Sequence, residues 1–223
     1  MPATILLNPL DFGRGFFYEN GVIVRVGRLT ALAWFLLVVA ARPAQAEAPL
    51  PPIRLGTQEV GFTAGPILPW RVKPAQSTKL FGVSAMPSWS LTLTDPIGSG
   101  WSEGQLRLGA EFILARTDEP EHAWTVGITP KVSYTFTALG RVRPFLEGGG
   151  GPLWTELGGE VPEQPGAFNF IVMGGGGLSY LLSPRLAINV GGRFYHISNG
   201  GTRPTNRGLN FGFPYVGFSW YLF

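Results

Sequence analysis

The sequence predicts an all-β protein, an eight-stranded antiparallel β-barrel of the outer membrane, and three observations support this fold class. The 223 residues include 32 glycines, 13% are aromatic and only 14% are charged, a composition that argues against long helices and disorder. From Glu47 onward, apolar and polar residues alternate in strand-length runs without a helical period. The chain ends in Phe218-Ser-Trp-Tyr-Leu-Phe223, which resembles the C-terminal strand that the outer-membrane assembly machinery recognises. A soluble secreted barrel or sandwich is the alternative, but a bare apolar edge strand invites aggregation.

The first 46 residues are interpreted as an export segment rather than as part of the fold. Leu29–Ala41 is an uncharged apolar run between arginines, and Ala44-Gln-Ala46 follows it. At about 13 residues the run is shorter than the roughly 20 that a helix needs to cross a bilayer. This pattern indicates a secretory signal peptide cleaved before Glu47, preceded by an atypical N-terminal extension. We therefore expect a signal segment over 1–46 and a barrel domain over 47–223.

Strand-like runs follow in order, each bounded by a turn signal or by a longer connection. The runs cover about 55–65, 78–94, 104–116, 122–138, 142–156, 167–183, 185–198 and 209–223. Turn-forming sequences separate several of them, namely Asp95-Pro-Ile-Gly-Ser-Gly, Thr117-Asp-Glu-Pro-Glu, Ala138-Leu-Gly-Arg and Leu182-Ser-Pro-Arg. Short turns alternate with longer connections, notably 157–166 and 199–208, which is typical of periplasmic turns and outer loops. An even number of such strands can close into a small filled barrel, and we expect Phe223 to be paired within the closing strand.

The seventh run places a histidine and a serine on one face. His196 and Ser198 are two positions apart, so on a strand they point the same way. The residues that share their face are mostly apolar: Ile188, Val190 and Phe194. The opposite face carries Asn189, Arg193 and Tyr195, which suits a barrel interior. A polar pair on a lipid-facing surface is costly and therefore indicates function, and a hydroxyl beside an imidazole is the pairing that nucleophilic acyl transfer requires.

The same region resembles a known family. His196-Ile-Ser198-Asn199-Gly-Gly201, followed by Asn206-Arg-Gly208-Leu-Asn210, is similar to the signature of the outer-membrane lipid A 3-O-deacylases, the PagL family of acyloxyacyl-hydrolase-like esterases. The close similarity covers roughly 193–212, and the architecture of the mature chain matches more generally. The resemblance implies an esterase that removes the 3-O-linked acyl chain of lipid A.

The resemblance also implies a role for each residue of the motif. Ser198 would be the nucleophile and His196 the general base. The side chain of Asn206 and the backbone N–H of Gly201 would be the oxyanion donors, and Asn199 would shape the turn, although an ordinary turn asparagine is an equally good interpretation.

Asn210 departs from the family pattern, which has glutamate in this position of a Ser-His-Glu triad. An amide can orient an imidazole but cannot offer the negative charge that stabilises imidazolium. Three interpretations follow: a weaker Ser-His-Asn esterase, an acid supplied from elsewhere by Glu147 or Glu156, or a catalytically silent barrel. If the fold retains the site that the resemblance implies, the fourteen-residue interval from His196 places Asn210 beside the imidazole. Alternation counted back from Phe223 argues against this, unless Gly212 or Pro214 marks a bulge.

Other functions find little support in the sequence. The absence of cysteine and the presence of only two histidines, far apart, predict no metal site and no cofactor. A net charge of +3 gives no case for nucleic acid. The glycine runs at 148–151 and 174–177 lack the strand-to-helix context and the lysine of a phosphate loop.

The expected partners are lipid A or lipopolysaccharide, the surrounding outer-membrane lipid and the assembly machinery. Two alternatives to the esterase remain. One is a silent barrel that binds lipopolysaccharide or supports the membrane. The other is a small channel or adhesin-type barrel, which is disfavoured because eight strands leave almost no lumen.

Overall fold

A closed antiparallel β-barrel accounts for the described part of the chain. The computed structural model describes residues 53–70, 77–204 and 207–223, and the predicted signal segment, 1–46, lies outside these ranges. The strands are β1 (Gln58–Pro69), β2 (Phe81–Thr92), β3 (Gly104–Glu119), β4 (Ala123–Phe136), β5 (Val142–Thr155), β6 (Phe168–Leu181), β7 (Leu186–Ser198) and β8 (Leu209–Leu222). Each strand pairs with the next, and β1 closes the barrel against β8. The predicted fold class is therefore confirmed.

Beyond the strands, the structure describes a short 3-10 turn at Gly100–Ser102. Among the described residues, no helix is both long enough and apolar enough to cross a membrane.

Two details of the predicted strand arrangement are wrong. Phe223 does not pair within the closing strand, because β8 ends at Leu222, opposite Gln58. Short and long connections also fail to alternate strictly, since the connection at 93–103 is long and lies at the end of the barrel that holds Gln58. That connection is packed rather than loose: Ile97 pairs with Gly104, and the Tyr134 hydroxyl donates to the carbonyl of Ser102 over 2.7 Å.

The two faces of the barrel wall differ in polarity along every strand. Outward positions carry large apolar side chains that are about half exposed, including Trp89, Trp124, Trp154, Val190 and Trp220. Inward positions are buried and carry many polar or charged groups. On β7 the inward residues are Asn189, Arg193 and Tyr195, as the sequence predicts. The apolar exterior suits a hydrocarbon surrounding, and the polar interior requires internal pairing because buried charges are otherwise costly.

A network of two cations and two carboxylates fills the middle of the interior. The Arg193 guanidinium donates to Glu147 from Nε over 2.7 Å and from Nη2 over 3.1 Å, and to Glu111 from Nη1 over 2.8 Å. Lys131 Nζ lies 3.4 Å from Glu111 and 3.3 Å from Glu147. The Tyr215 hydroxyl adds a 2.8 Å bond to Glu147. The charges therefore cancel, and the network ties β3, β4, β5, β7 and β8 together across the lumen.

We expect Arg193→Gln to destabilise the barrel strongly, because it leaves two buried carboxylates with Lys131 as their remaining counter-charge. Removing one partner of a buried ion pair costs about 3–5 kcal/mol. The matched control is Arg116→Gln, which breaks an exposed 3.8 Å contact with Asp118 that contributes about 0–1 kcal/mol. The measurement is the urea midpoint of the purified protein in detergent micelles. Equal midpoints for the two variants would show that the interior network does not hold the barrel together.

Candidate active site

Strand β7 presents His196 and Ser198 on the outer surface, because Tyr195 and Ile197 between and beside them point inward. Both side chains are half-buried. In the neighbouring strand β6, Val172 pairs with His196 and Phe170 pairs with Ser198, and both of these apolar side chains are exposed on the barrel exterior. The polar pair therefore lies within an apolar surface.

Asn210 lies directly opposite His196 on β8. Its Oδ1 is 2.8 Å from His196 Nδ1. Asn210 is only 7% exposed. With Oδ1 as the acceptor, Nδ1 carries the imidazole proton, which leaves the lone pair of Nε2 available to accept a proton. The site therefore contains an imidazole oriented by an amide.

The alternation argument that placed Asn210 on the other face starts from the wrong reference. Phe223 lies beyond β8, and the residues of β8 that point outward are Phe218, Trp220 and Leu222. Counting back from these puts Asn210 on the outer surface. The backbone pairs in regular register from Leu186↔Trp220 to Ile197↔Leu209, so neither Gly212 nor Pro214 introduces a bulge there.

Ser198 and His196 are neighbours, but within the described residues no hydrogen bond joins the Ser198 hydroxyl to the imidazole. Hydrogen bonds of this kind are often long or poorly aligned in a site without substrate. The geometry thus brings together His196 and Asn210 and places Ser198 next to them on the same face.

The turn that follows Ser198 is built around Asn199, which is buried. Its Oδ1 accepts the backbone N–H of Gly201 over 2.8 Å, and its carbonyl accepts the Thr202 hydroxyl over 2.8 Å. Gly200 and Gly201 have φ of 62° and 82°, which favours glycine at both positions. The N–H expected to act as an oxyanion donor is therefore already engaged, and Asn206, the other expected donor, lies outside the described residues.

Gly208 leaves room for the His196 ring. The sequence showed that Gly208 belongs to the motif but not that it contacts the imidazole. Its φ is 71°, and a Cβ built on it would lie 2.5 Å from His196 Cε1 and 3.1 Å from Nε2. The bare backbone of Gly208 thus leaves the space that the imidazole ring occupies.

Aromatic side chains border the site on the outer surface. Trp70 follows β1, donates its backbone N–H to the carbonyl of Asn210 over 3.4 Å and meets Phe194 edge-on at 5.7 Å between ring centroids. Its ring covers Gly212, since a Cβ there would lie 3.0 Å from Trp70 Cε3. On the other side, Phe168 and Phe170 form an edge-on pair at 5.3 Å. Trp70 is far from the motif in sequence, so no local signal could identify it.

Neither of the two proposed substitute acids reaches the imidazole. Glu147 lies inside the barrel and binds Arg193 and Tyr215. The Glu156 carboxylate accepts the backbone N–H of Trp124 over 2.8 Å. In the part of the chain that the structure describes, no carboxylate is hydrogen-bonded to His196. No group of three or more His, Asp or Glu side chains there is placed to hold a metal ion.

The connection between β5 and β6 forms a cap beside the site, and Glu163 anchors it. Glu163 Oε1 accepts the backbone N–H groups of Ser77 and Thr78 over 2.6 and 3.0 Å, and Oε2 accepts the Thr78 hydroxyl over 2.5 Å. The next residue, Gln164, donates to the carbonyl of Ile197 over 3.4 Å. Burial works to raise the pKa of Glu163, but the hydrogen bonds from Thr78 and Ser77 outweigh it and lower the pKa below its ordinary value.

A closed barrel with an apolar exterior and a paired polar interior is the architecture of an outer-membrane β-barrel protein. The family model described as lipid A 3-O-deacylase (PagL) matches residues 69–219. The chain belongs to this family, and it is an outer-membrane protein of the lipid A 3-O-deacylase type.

The solved structures that match this chain have low sequence identity to it. The outer membrane enzyme PagL is 17% identical, over 73% of this chain and 98% of that one, with a TM-score of 0.48. Neisserial surface protein A is 16% identical, over 74% of this chain and 98% of that one, with a TM-score of 0.55. OprG from Pseudomonas aeruginosa is 12% identical, over 77% and 98%, with a TM-score of 0.38. The likeness to Neisserial surface protein A concerns the fold alone. No curated protein matches the chain.

We expect Gly208→Ala to displace the His196 ring, whereas Gly140→Ala should not. Both glycines have positive φ, 71° and 66°, but a Cβ at Gly140 meets no atom within 4 Å. Both variants should therefore lose about 1–2 kcal/mol to backbone strain, and the Gly208 variant should in addition break the contact between His196 and Asn210. The measurement is the ¹⁵N resonance of His196 Nδ1 in micelles. An unchanged resonance in Gly208→Ala would show that Gly208 does not position the ring.

Acid should release the cap because protonated Glu163 loses its acceptor strength. The pKa of this carboxyl is lower in the folded protein, so its stabilising contribution is complete above the ordinary glutamate value, about 4.3, and is lost as the pH falls through the lower folded value. We expect protection of the Ser77 and Thr78 amides against hydrogen exchange to fall over that range, after correction for intrinsic rates. Glu163→Gln should show weaker protection that no longer changes with pH. Equal pH dependence in both proteins would contradict this role.

Proposed function

We propose that this protein is an outer-membrane esterase that hydrolyses the 3-O-linked acyl chain of lipid A, with Ser198 as nucleophile, His196 as general base and Asn210 as the residue that orients the base. The observation that carries the proposal is the 2.8 Å contact between His196 Nδ1 and Asn210 Oδ1 on the outer surface, beside Ser198. An acyl ester of a membrane lipid would meet that surface without leaving the bilayer.

The reaction would proceed in two halves. Ser198 Oγ attacks the ester carbonyl carbon while His196 Nε2 takes the hydroxyl proton, and the carbonyl oxygen becomes an oxyanion. The bond to the sugar oxygen then breaks, and the imidazolium returns the proton to that oxygen, which leaves an acyl group on Ser198. Water then attacks the acyl group while His196 takes a proton from the water; the bond to Ser198 Oγ breaks, the imidazolium returns the proton to Oγ, and the free fatty acid leaves.

The acid of a catalytic triad orients the imidazole and stabilises the imidazolium by its charge. Asn210 can perform the first of these tasks. In serine proteases the change from acid to amide costs about 10⁴ in rate, because the amide holds the wrong imidazole tautomer. Here Asn210 Oδ1 accepts from Nδ1, so Nε2 keeps the lone pair that the reaction needs. The task that Asn210 leaves undone is the electrostatic stabilisation of the imidazolium, so we propose a slower enzyme rather than an inactive one.

The oxyanion would bind at the turn after Ser198. The Gly201 N–H donates to Asn199 Oδ1 in the free protein, so it would have to exchange this acceptor for the oxyanion. We propose that Asn199 releases it on substrate binding and that Asn206 supplies a second donor. One such donor contributes roughly 100- to 1000-fold in rate.

A catalytically silent barrel that binds lipopolysaccharide is the second candidate function. Two observations favour it: the absence of a carboxylate on His196 within the described residues, and the engagement of the Gly201 N–H by Asn199.

Export and assembly complete the proposal. We propose that residues 1–46 are removed as a signal segment and that the aromatic C-terminal strand, β8, is recognised by the outer-membrane assembly machinery. Outward Phe218 and Trp220 on that strand support this part of the proposal.

The test is mass spectrometry of lipid A after incubation with the purified protein in detergent. We expect loss of one 3-linked acyl chain with the native protein, no loss with Ser198→Ala, and faster loss with Asn210→Glu, because a carboxylate adds the missing charge to a base already in place. The increase should be tenfold or more, below the roughly 10⁴ limit set by the protease comparison. Activity of Ser198→Ala equal to the native protein would overturn the nucleophile. Release by none of the three proteins would favour the silent barrel.

A further inference from the structure

The connection between β7 and β8 carries two arginines and no acidic residue. Arg203 and Arg207 lie within 199–208, the stretch that separates Ser198 from Asn210. Both arginines are exposed. Among the described residues neither guanidinium has an ion-pair partner, in contrast to Arg107 and Arg193 inside the barrel, which bind carboxylates. A pair of uncompensated cations therefore lies at the border of the candidate active site.

Arg203 is held in place by backbone rather than by charge. Its Nη1 donates to the carbonyl of Pro165 over 3.4 Å. Its guanidinium lies on the bare backbone of Gly166, where a Cβ would approach Cζ to 2.6 Å and would contact Nε. Because a carbonyl uses one of the five guanidinium N–H groups, the others remain available in an oriented fork.

The backbone of Arg207 lies beside the candidate site because its neighbour in sequence, Gly208, contacts His196. Gly208 packs its backbone against the His196 ring, so the main chain at Arg207 lies next to the proposed base. The acidic residues of the adjacent β5–β6 cap do not neutralise the arginines through the contacts that the structure shows. Glu163 is buried and bound to Ser77 and Thr78, and Glu156 accepts the N–H of Trp124. Glu160 is exposed, and no ion pair joins it to either arginine among the described residues.

We propose that Arg203 and Arg207 bind a phosphate group on the sugar headgroup of the substrate lipid. The inference rests on the proposed function, since it takes phosphorylated lipid A as the substrate. Guanidinium groups bind phosphate through paired, charge-assisted hydrogen bonds. With the phosphate on the arginines at the water side, the acyl chains extend along the apolar surface that includes Phe170 and Val172. The ester between them then lies at Ser198. The arginines thus select a phosphorylated lipid and set its depth.

The experiment compares two substrates in a neutral detergent. The detergent then carries no phosphate, and any lipid phosphate in the assay comes from the substrate. One is phosphorylated lipid A and the other is the same lipid A after enzymatic removal of its phosphates. We expect the native protein to have a higher kcat/KM for the phosphorylated substrate than for the dephosphorylated one. In the double variant Arg203→Gln, Arg207→Gln this ratio should fall roughly tenfold, chiefly because KM for the phosphorylated substrate rises. The matched control is Arg185→Gln, an exposed arginine in the β6–β7 turn at the other end of the barrel, which should keep the preference. An undiminished preference in the double variant, or an equal loss in the control, overturns the proposal.

A binding measurement separates failure of this inference from failure of the proposed function. Ser198→Ala, with and without the two arginine changes, is titrated with each lipid and with inorganic phosphate. If the native protein hydrolyses neither substrate, the esterase proposal fails. The arginine proposal is then judged by binding alone: the phosphorylated lipid must bind more tightly than the dephosphorylated one, and the arginine changes must abolish that difference. If inorganic phosphate binds as tightly as phosphorylated lipid A, the arginines recognise free phosphate and the headgroup assignment is wrong.

Discussion

The ion network around Arg193 is the constraint on which the rest of the structure depends. Arg193 on β7 reaches Glu147 on β5 and Glu111 on β3, so it must point into the lumen. Side chains on a strand alternate between the two faces, and Tyr195 and Ile197 therefore also point inward. His196 and Ser198 are left on the outer surface as a consequence. A pairing that neutralises buried charge thus determines which side chains of β7 meet the membrane lipid.

The same network orients β8. The Tyr215 hydroxyl donates to Glu147 over 2.8 Å, which fixes Tyr215 on the inward face. Phe213 and Phe211 follow on that face, where Phe211 stacks on Tyr195 at 5.1 Å. Asn210 is consequently outward, and the register with β7 places it opposite His196. The contact between imidazole and amide therefore results from two inward anchors, Arg193 and Tyr215, that share one carboxylate.

Most of the correct predictions came from the alternation of apolar and polar residues along each strand. It located all the strands of the barrel and the inward face of β7, because Asn189, Arg193 and Tyr195 stand out against the apolar residues between them. It failed at the end of β8, where the exposed terminal Phe223 lies outside the strand and gives no reference for its faces. Contacts between distant segments were beyond its reach: Glu163 binds Ser77 and Thr78 about 85 residues earlier, and Trp70 meets Phe194 through barrel closure. The engagement of Gly201 by Asn199 depends on a turn geometry that the motif alone does not specify.

The exchange of a carboxylate for an amide at position 210 has a physical rationale in this setting. Asn210 is 7% exposed and lies on a surface that faces lipid. A carboxylate there would be removed from water, at a cost of several kcal/mol that its hydrogen bonds and any counter-charge would have to offset. In the resting site the imidazole would offer such a carboxylate a hydrogen bond from Nδ1, and in the proposed mechanism a full positive charge forms there only during the reaction. An amide avoids the cost and still directs the Nδ1 proton, but it offers less stabilisation to the imidazolium when that forms. Compared with a carboxylate at position 210, asparagine therefore gives a more stable resting barrel and a slower proposed reaction.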